Sequence, residues 1–113
     1  MLTIEKLKEY GADTDEGLKR CMGNEGLYLR LAAMAAQQPE FGQLENYIKD
    51  HDMKSAFQAA HSLKGVIGNL SITPLYEKVC EITELLRYES PADYDDLVKT
   101  IIELRDKYRS LCE

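Results

Sequence analysis

Apolar residues recur along this chain at helical intervals, and no stretch alternates as a half-buried strand would, so the pattern predicts an all-α fold. Gly11 and Gly23 read as C-terminal stops for two short helices, the second opened by Asp13 with Glu16 at capping-box spacing. From Asn24 the positions Leu27, Leu31 and Met34 set a longer stripe that Pro39 interrupts, and Phe41, Leu44, Tyr47 and Ile48 resume it, as one kinked helix or two short ones. Asp50 or Asp52 caps the next helix, which runs to about Leu70 before the "SITP" stretch breaks it. Thr73 as N-cap with Pro74 in the first helical position opens another, with Leu75, Val79, Ile82 and Leu86 on its buried side. Ser90-Pro91 repeats that opening, with Asp93 supporting the cap, and Leu97, Ile101, Leu104, Tyr108 and Leu111 stripe the last helix. Short connections between four apolar-striped segments predict an antiparallel up-and-down four-helix bundle over residues 24–113, preceded by short accessory helices in residues 1–23.

One segment works against its own helix. "AAHSLKGVIGNL", residues 59–70, carries Gly65 and Gly68 in its interior, each costing about 1 kcal/mol relative to alanine. On a helical wheel Leu63, Ile67 and Leu70 gather with Ala56, Ala59 and Ala60 into one apolar sector, and His61 points away from it together with both glycines. An ordinary solvated face would hold Glu, Lys and Gln there. Side chains are therefore missing around one exposed histidine.

Length and charge narrow what that histidine can serve. A chain of 113 residues and 12.9 kDa makes one domain with one core. With 20 Asp and Glu against 14 Lys and Arg it offers no electrostatic footprint for nucleic acid or an anionic membrane. No apolar run approaches the roughly 20 residues that span a bilayer, and "MLTIEKLKEY" is charged and amphipathic, unlike a signal peptide, so a cytoplasmic protein is expected. Cys21, Cys80 and Cys112 are odd in number, far apart and without zinc-ligand spacing, so they read as reduced packing thiols and no metal is expected. No nucleotide-binding or hydrolase motif occurs.

A neutral imidazole has a lone pair that can attack phosphorus, and a nucleophile that must reach into another protein needs clear approach. Gly65 and Gly68 would supply the clearance, and Lys64, one turn on from His61, can pair with phosphoryl oxygens. Phe57, one turn back, offers an exposed apolar contact for docking. His51, between Asp50 and Asp52 in a polar turn, has no such setting.

These residues resemble the motif of the histidine-containing phosphotransfer (HPt) domain family, H-x-L-K-G followed by small residues and usually Leu-Gly. His61, Leu63, Lys64, Gly65, Gly68, Asn69 and Leu70 fit it, and the likeness extends more loosely over "EGLKRCMGNEGLYLRL" and "LYEKVCEITELLR". Ser71 departs from it, standing where the family commonly has glycine; this position is expected to alter the turn into "SITP" and to lie away from the site. The resemblance implies that His61 is a phosphoacceptor relaying a phosphoryl group between aspartates of receiver domains in a multistep two-component pathway. The partners would be response regulators or a hybrid sensor kinase. It further implies a monomeric phosphocarrier without kinase or hydrolase activity and without a cofactor, the magnesium belonging to the receiver.

Three residues stand at the margin of that reading. Arg87, on a stripe with Tyr76, Cys80 and Thr83, either approaches the His61 surface to hold phosphate or partner, or is a solvated cation near a helix C-terminus. Leu18 and Met22 either extend the docking face or cap the bundle. Two other function classes compete. An enzyme using His61 as base or metal ligand would need converging carboxylates or further ligands. An unphosphorylated helical adaptor would have no use for His61, Lys64 and Gly65 together.

Overall fold

The helical periodicity is realised as seven α-helices and no strand: α1 Ile4–Tyr10, α2 Thr14–Arg20, α3 Glu25–Ala35, α4 Glu40–Lys49, α5 Met53–Asn69, α6 Thr73–Arg87 and α7 Tyr94–Ser110. The computed structural model describes all residues, 1–113. Helix α5 packs against α4 on one side and α6 on the other, and α7 lies on α6 and closes back onto α4. Four helices thus form a ring around one core in which Phe41, Leu44, Leu63, Ile67, Leu75, Val79, Ile82 and Ile101 are fully buried. No helix is long and apolar enough to cross a membrane.

Side-chain caps start most of the helices. Thr3, Asp13, Asn24, Asp52 and Asp93 each accept a hydrogen bond from the backbone N–H three residues on, satisfying a donor the helix cannot. Asp52, not Asp50, caps α5. At α2 only half of the expected box forms: Asp13 accepts from Glu16 N–H, while the Asp13 N–H goes to the Ser71 carbonyl and the Glu16 carboxylate to Arg20.

Helix ends share a second device. Gly11, Met22, His51, Ser71 and Glu89 all have φ between 52° and 109°. In each case the next N–H reaches back to a carbonyl of the closing turn: Ala12 to Leu7, Gly23 to Leu18, Asp52 to Tyr47, Ile72 to Ile67 and Ser90 to Leu85. This is the left-handed closure in which glycine is usual, and here four of the five positions are not glycine.

That device displaces three expected boundaries. Met22, one residue before Gly23, turns the chain first after α2, and Gly23 follows it in the left-handed region at φ 75°. Ser90 is taken up in closing α6, so α7 is capped by Asp93 alone, and Ser90-Pro91 does not repeat the opening of α6. Ile72, not Thr73, is the N-cap of α6, and Pro74 falls in the second helical position. Proline is tolerated there because the first-turn N–H groups have no helical partner to lose.

The stripe of α3 is wrongly phased in the sequence reading. Leu31 is 36% exposed and Met34 59%, while Tyr28, Ala32 and Ala35 are buried. The Tyr28 hydroxyl donates to the Leu70 carbonyl at 2.8 Å and the Tyr108 hydroxyl to the Ala32 carbonyl, fixing α3 to the end of α5 and to α7. Tyr28, Ala32 and Ala35 make up the buried face, and the two hydroxyls anchor it, while Leu27 and Leu29 are only partly buried against the core. Pro39 separates α3 from α4 as two helices.

Candidate functional site

Helix α5 positions the site by burying one face completely. Ala56, Ala60, Leu63 and Ile67 have no exposure, which fixes the rotation of the helix and turns His61 outward to solvent at mid-length. His61 is exposed, as the wheel requires. A polar groove of about 530 Å³ runs past it, lined by Lys64, Gly65, Gly68, Asn69 and Ser71 from α5 and the turn after it, by Thr73 and Tyr76 from α6, and by Asp13, Glu16 and Arg20 from the α2 end.

The two glycines do different things. A Cβ built on Gly65 meets nothing within 4 Å, so the turn after His61 is open to an incoming group. A Cβ on Gly68 would lie 2.7 Å from Tyr76 Cε1, so this glycine admits the Tyr76 ring of α6 against α5. Gly65 is the open position beside His61, while Gly68 lines the same groove and in addition makes room for the Tyr76 ring.

On the other side of His61 a chain of contacts runs across to α6. The Phe57 ring stacks on the His61 imidazole with centroids 5.8 Å apart and planes inclined 21°. The Arg87 guanidinium lies over the same Phe57 ring, 5.1 Å from its centroid, a cation–π contact. Phe57 is consequently half-buried between its neighbours and is not the free docking side chain expected. Arg87 also donates from Nε to Glu84, 3.2 Å from Oε2, and Lys64 Nζ reaches Glu84 Oε1 at 3.3 Å. Arg87 therefore joins the site, through Phe57 and Glu84. Partial desolvation pushes the Glu84 carboxyl up, but the Lys64 hydrogen bond and the Arg87 charge together outweigh it and hold the carboxyl below the usual range.

Glu84 is the residue the sequence reading missed. The available signal was its spacing: Glu84 stands three residues before Arg87, on the flank of α6 that follows from burying Ile82 and Leu86. Ser71 also departs from expectation, since it lines the same groove as His61. Its φ of 56° explains why glycine suits the position, and its carbonyl accepts the Asp13 N–H at 2.9 Å, joining α2 to the end of α5.

The remaining residues fall outside this chain of contacts. Leu18 is half-buried against the core, and Met22 is 95% exposed in its left-handed turn. His51 is exposed in the turn after α4. All three cysteines are free, with Cys21 buried and Cys80 and Cys112 half-buried. No group of three or more His, Cys, Asp or Glu side chains converges on a metal position.

The site therefore presents one accessible imidazole, open space on the next turn and two cations held on a shared carboxylate. A family model described as Hpt domain matches residues 29–112, and no curated protein or solved structure matches the chain.

Proposed function

The chain belongs to the Hpt domain family, whose members are phosphocarrier modules of phosphorelay signalling, and from that premise we propose that His61 is the residue that carries the phosphoryl group here. The observation that carries the reading is the pairing of an exposed imidazole at mid-helix with empty space over Gly65 one turn on. The lone pair of an imidazole nitrogen forms the N–P bond while the P–O bond of an aspartyl phosphate breaks. The bonding pair leaves on the carboxylate, and the ring's remaining N–H proton is free to go to water. Return of the group to a second aspartate reverses these changes. Little else is required of this chain beyond holding the imidazole in line and supplying positive charge nearby.

The partners in this reading are receiver domains of response regulators or of a hybrid sensor kinase, in a multistep two-component pathway. Lys64 brings a positive charge to the groove one turn from His61, Gly65 leaves room for the receiver, and Gly68 sets the groove wall through Tyr76. Arg87 supports the site through Phe57; Leu18 and Met22 border the face. The ring of α4, α5, α6 and α7 supports an antiparallel up-and-down four-helix bundle, with residues 1–23 as accessory helices.

The test is to incubate the protein with a phosphorylated receiver domain and Mg²⁺. The expected product is a single acid-labile, alkali-stable phosphohistidine at His61, absent from His61→Gln, which folds normally because an exposed polar substitution changes stability by no more than about 0.5 kcal/mol. Label on His51 or persisting in His61→Gln overturns the assignment. Receiver binding without any label makes the protein an adaptor instead.

A further inference from the structure

Glu84 binds Lys64, which lines the His61 groove, and Arg87, which lies over the Phe57 ring, and this arrangement is the wrong one for simply stabilising a bound phosphate. Lys64 Nζ lies 3.3 Å from Glu84 Oε1 and Arg87 Nε 3.2 Å from Oε2, so each cation is already paired before any phosphoryl group arrives. The carboxylate is on the flank of α6 facing α5, and its side chain keeps 45% of its exposure, so the pairs are neither locked by burial nor lost to solvent. Lys64 is the more constrained partner, at 30% side-chain exposure, and it stands one turn from His61. A dianionic phosphoryl group on His61 would have to compete with Glu84 for Lys64, and would meet the carboxylate's repulsion at the same time.

We infer that Glu84 is an anionic tether that withholds Lys64 and Arg87 from the phosphoryl group, keeping phosphohistidine weakly stabilised and hence readily passed on. The inference rests on the proposed role of His61. A relay between two aspartyl phosphates works in both directions only if the intermediate is not trapped, and a carboxylate beside the cations limits trapping. Glu84 acts through Lys64 and Arg87 and is a positioning residue. The effect is that of one partly screened charge a few ångströms from the site, on the order of three- to tenfold in equilibrium.

Phosphoramidate isolates this effect from receiver docking. An imidazole nitrogen of His61 displaces ammonia from phosphorus, the donor's P–N bond breaking as the new N–P bond forms and the leaving nitrogen taking up the imidazole proton. With phosphoramidate and ammonium fixed, ³¹P NMR reads the ratio of phosphorylated to free protein at equilibrium. Glu84→Gln should raise that ratio about three- to tenfold, and added salt should shrink the gain. Glu84→Asp, which keeps the charge, should stay within about twofold of the unsubstituted protein on the same scale. In a Lys64→Gln background the gain from Glu84→Gln should shrink, because the cation it releases is gone. An unchanged or lowered ratio in Glu84→Gln overturns the tether while the phosphorylation of His61 stands. A gain of equal size without Lys64 overturns action through that residue. Unsubstituted protein that takes no label on His61 overturns the proposed function, and the tether with it.

Discussion

Tyr76 occupies the space a side chain at Gly68 would need: a Cβ there would come within 2.7 Å of Tyr76 Cε1 and 3.1 Å of Cδ1. Alanine at Gly68 should therefore not deliver the usual gain of about 1 kcal/mol in helix propensity. The ring must shift, and overpacking costs about 1–3 kcal/mol, so Gly68→Ala should lower stability by about 1 kcal/mol. In a Tyr76→Ala background the same substitution should instead stabilise by about 1 kcal/mol. Urea denaturation of the four proteins in this cycle reads the reversal of sign, and additive effects would show that the ring does not set the preference for glycine.

The phase of α3 is tested by pairs of substitutions. Leu63→Ala and Ile67→Ala remove fully buried side chains and should each lose about 2–5 kcal/mol. Met34→Ala, on the wetter side of α3, should stay within about 0.5 kcal/mol, and Leu31→Ala, which is partly covered, should lose about 1 kcal/mol. If Leu31→Ala and Met34→Ala cost as much in thermal unfolding as the Leu63 and Ile67 substitutions of α5, α3 would be rotated so that its Leu31–Met34 stripe faces the core.

How much of this was legible in the sequence depends on which force sets each feature. The rotation of α5 is set by burying Leu63, Ile67 and the alanines, which is a periodicity, so the exposure of His61 could be read directly. The rotation of α3 is set by Tyr28 and Tyr108 hydroxyls finding carbonyls 42 and 76 positions away, a long-range constraint no local pattern carries. The same holds for Gly68, whose reason lies in Tyr76 on the next helix, and for Glu84, whose partner Lys64 is on another element. The end of α2 and the starts of α6 and α7 were displaced because Met22, Ser71 and Glu89 take the left-handed conformation without being glycine.

Ser71 provides a test of that last point. It turns the chain after α5 at φ 56°, a conformation that costs a non-glycine residue about 1 kcal/mol. Ser71→Gly should therefore raise stability by up to about 1 kcal/mol, offset in part by the greater freedom of glycine in the unfolded chain. The Ser71 carbonyl still accepts the Asp13 N–H, so the join to α2 is unchanged. A fall in the midpoint of thermal unfolding would count against strain at this turn.

The Glu84 pairs give a pH dependence with a definite sign. Its carboxyl titrates below the usual range in the folded protein, whereas in the unfolded chain it has the ordinary value of about 4.3. The folded state therefore binds this proton less readily, so the stabilisation is present above that ordinary value and is lost as pH falls through the folded one. NMR titration of the Glu84 side-chain carbon should give a midpoint that moves upward in Lys64→Gln, with a further rise when Arg87→Gln is added. A midpoint indifferent to both would mean that the cations do not hold the carboxylate in solution.

Gly65 is where stability and transfer should part. Because a Cβ there meets nothing within 4 Å, alanine fits without strain and should stabilise α5 by up to about 1 kcal/mol. The same methyl stands on the turn next to His61, in the space an incoming receiver must enter. In-line transfer tolerates little displacement, since about an ångström of misplacement can cost up to about a hundredfold in rate, so Gly65→Ala should slow transfer from a receiver domain by about tenfold, and Gly65→Gln by more. Phosphoramidate is small enough to approach past a methyl group, so its labelling of His61 should slow far less. Rapid-quench measurement with both donors separates obstruction of the partner from damage to the imidazole's surroundings. A Gly65→Ala protein that is more stable and equally fast with a receiver would leave the open turn without a function in transfer.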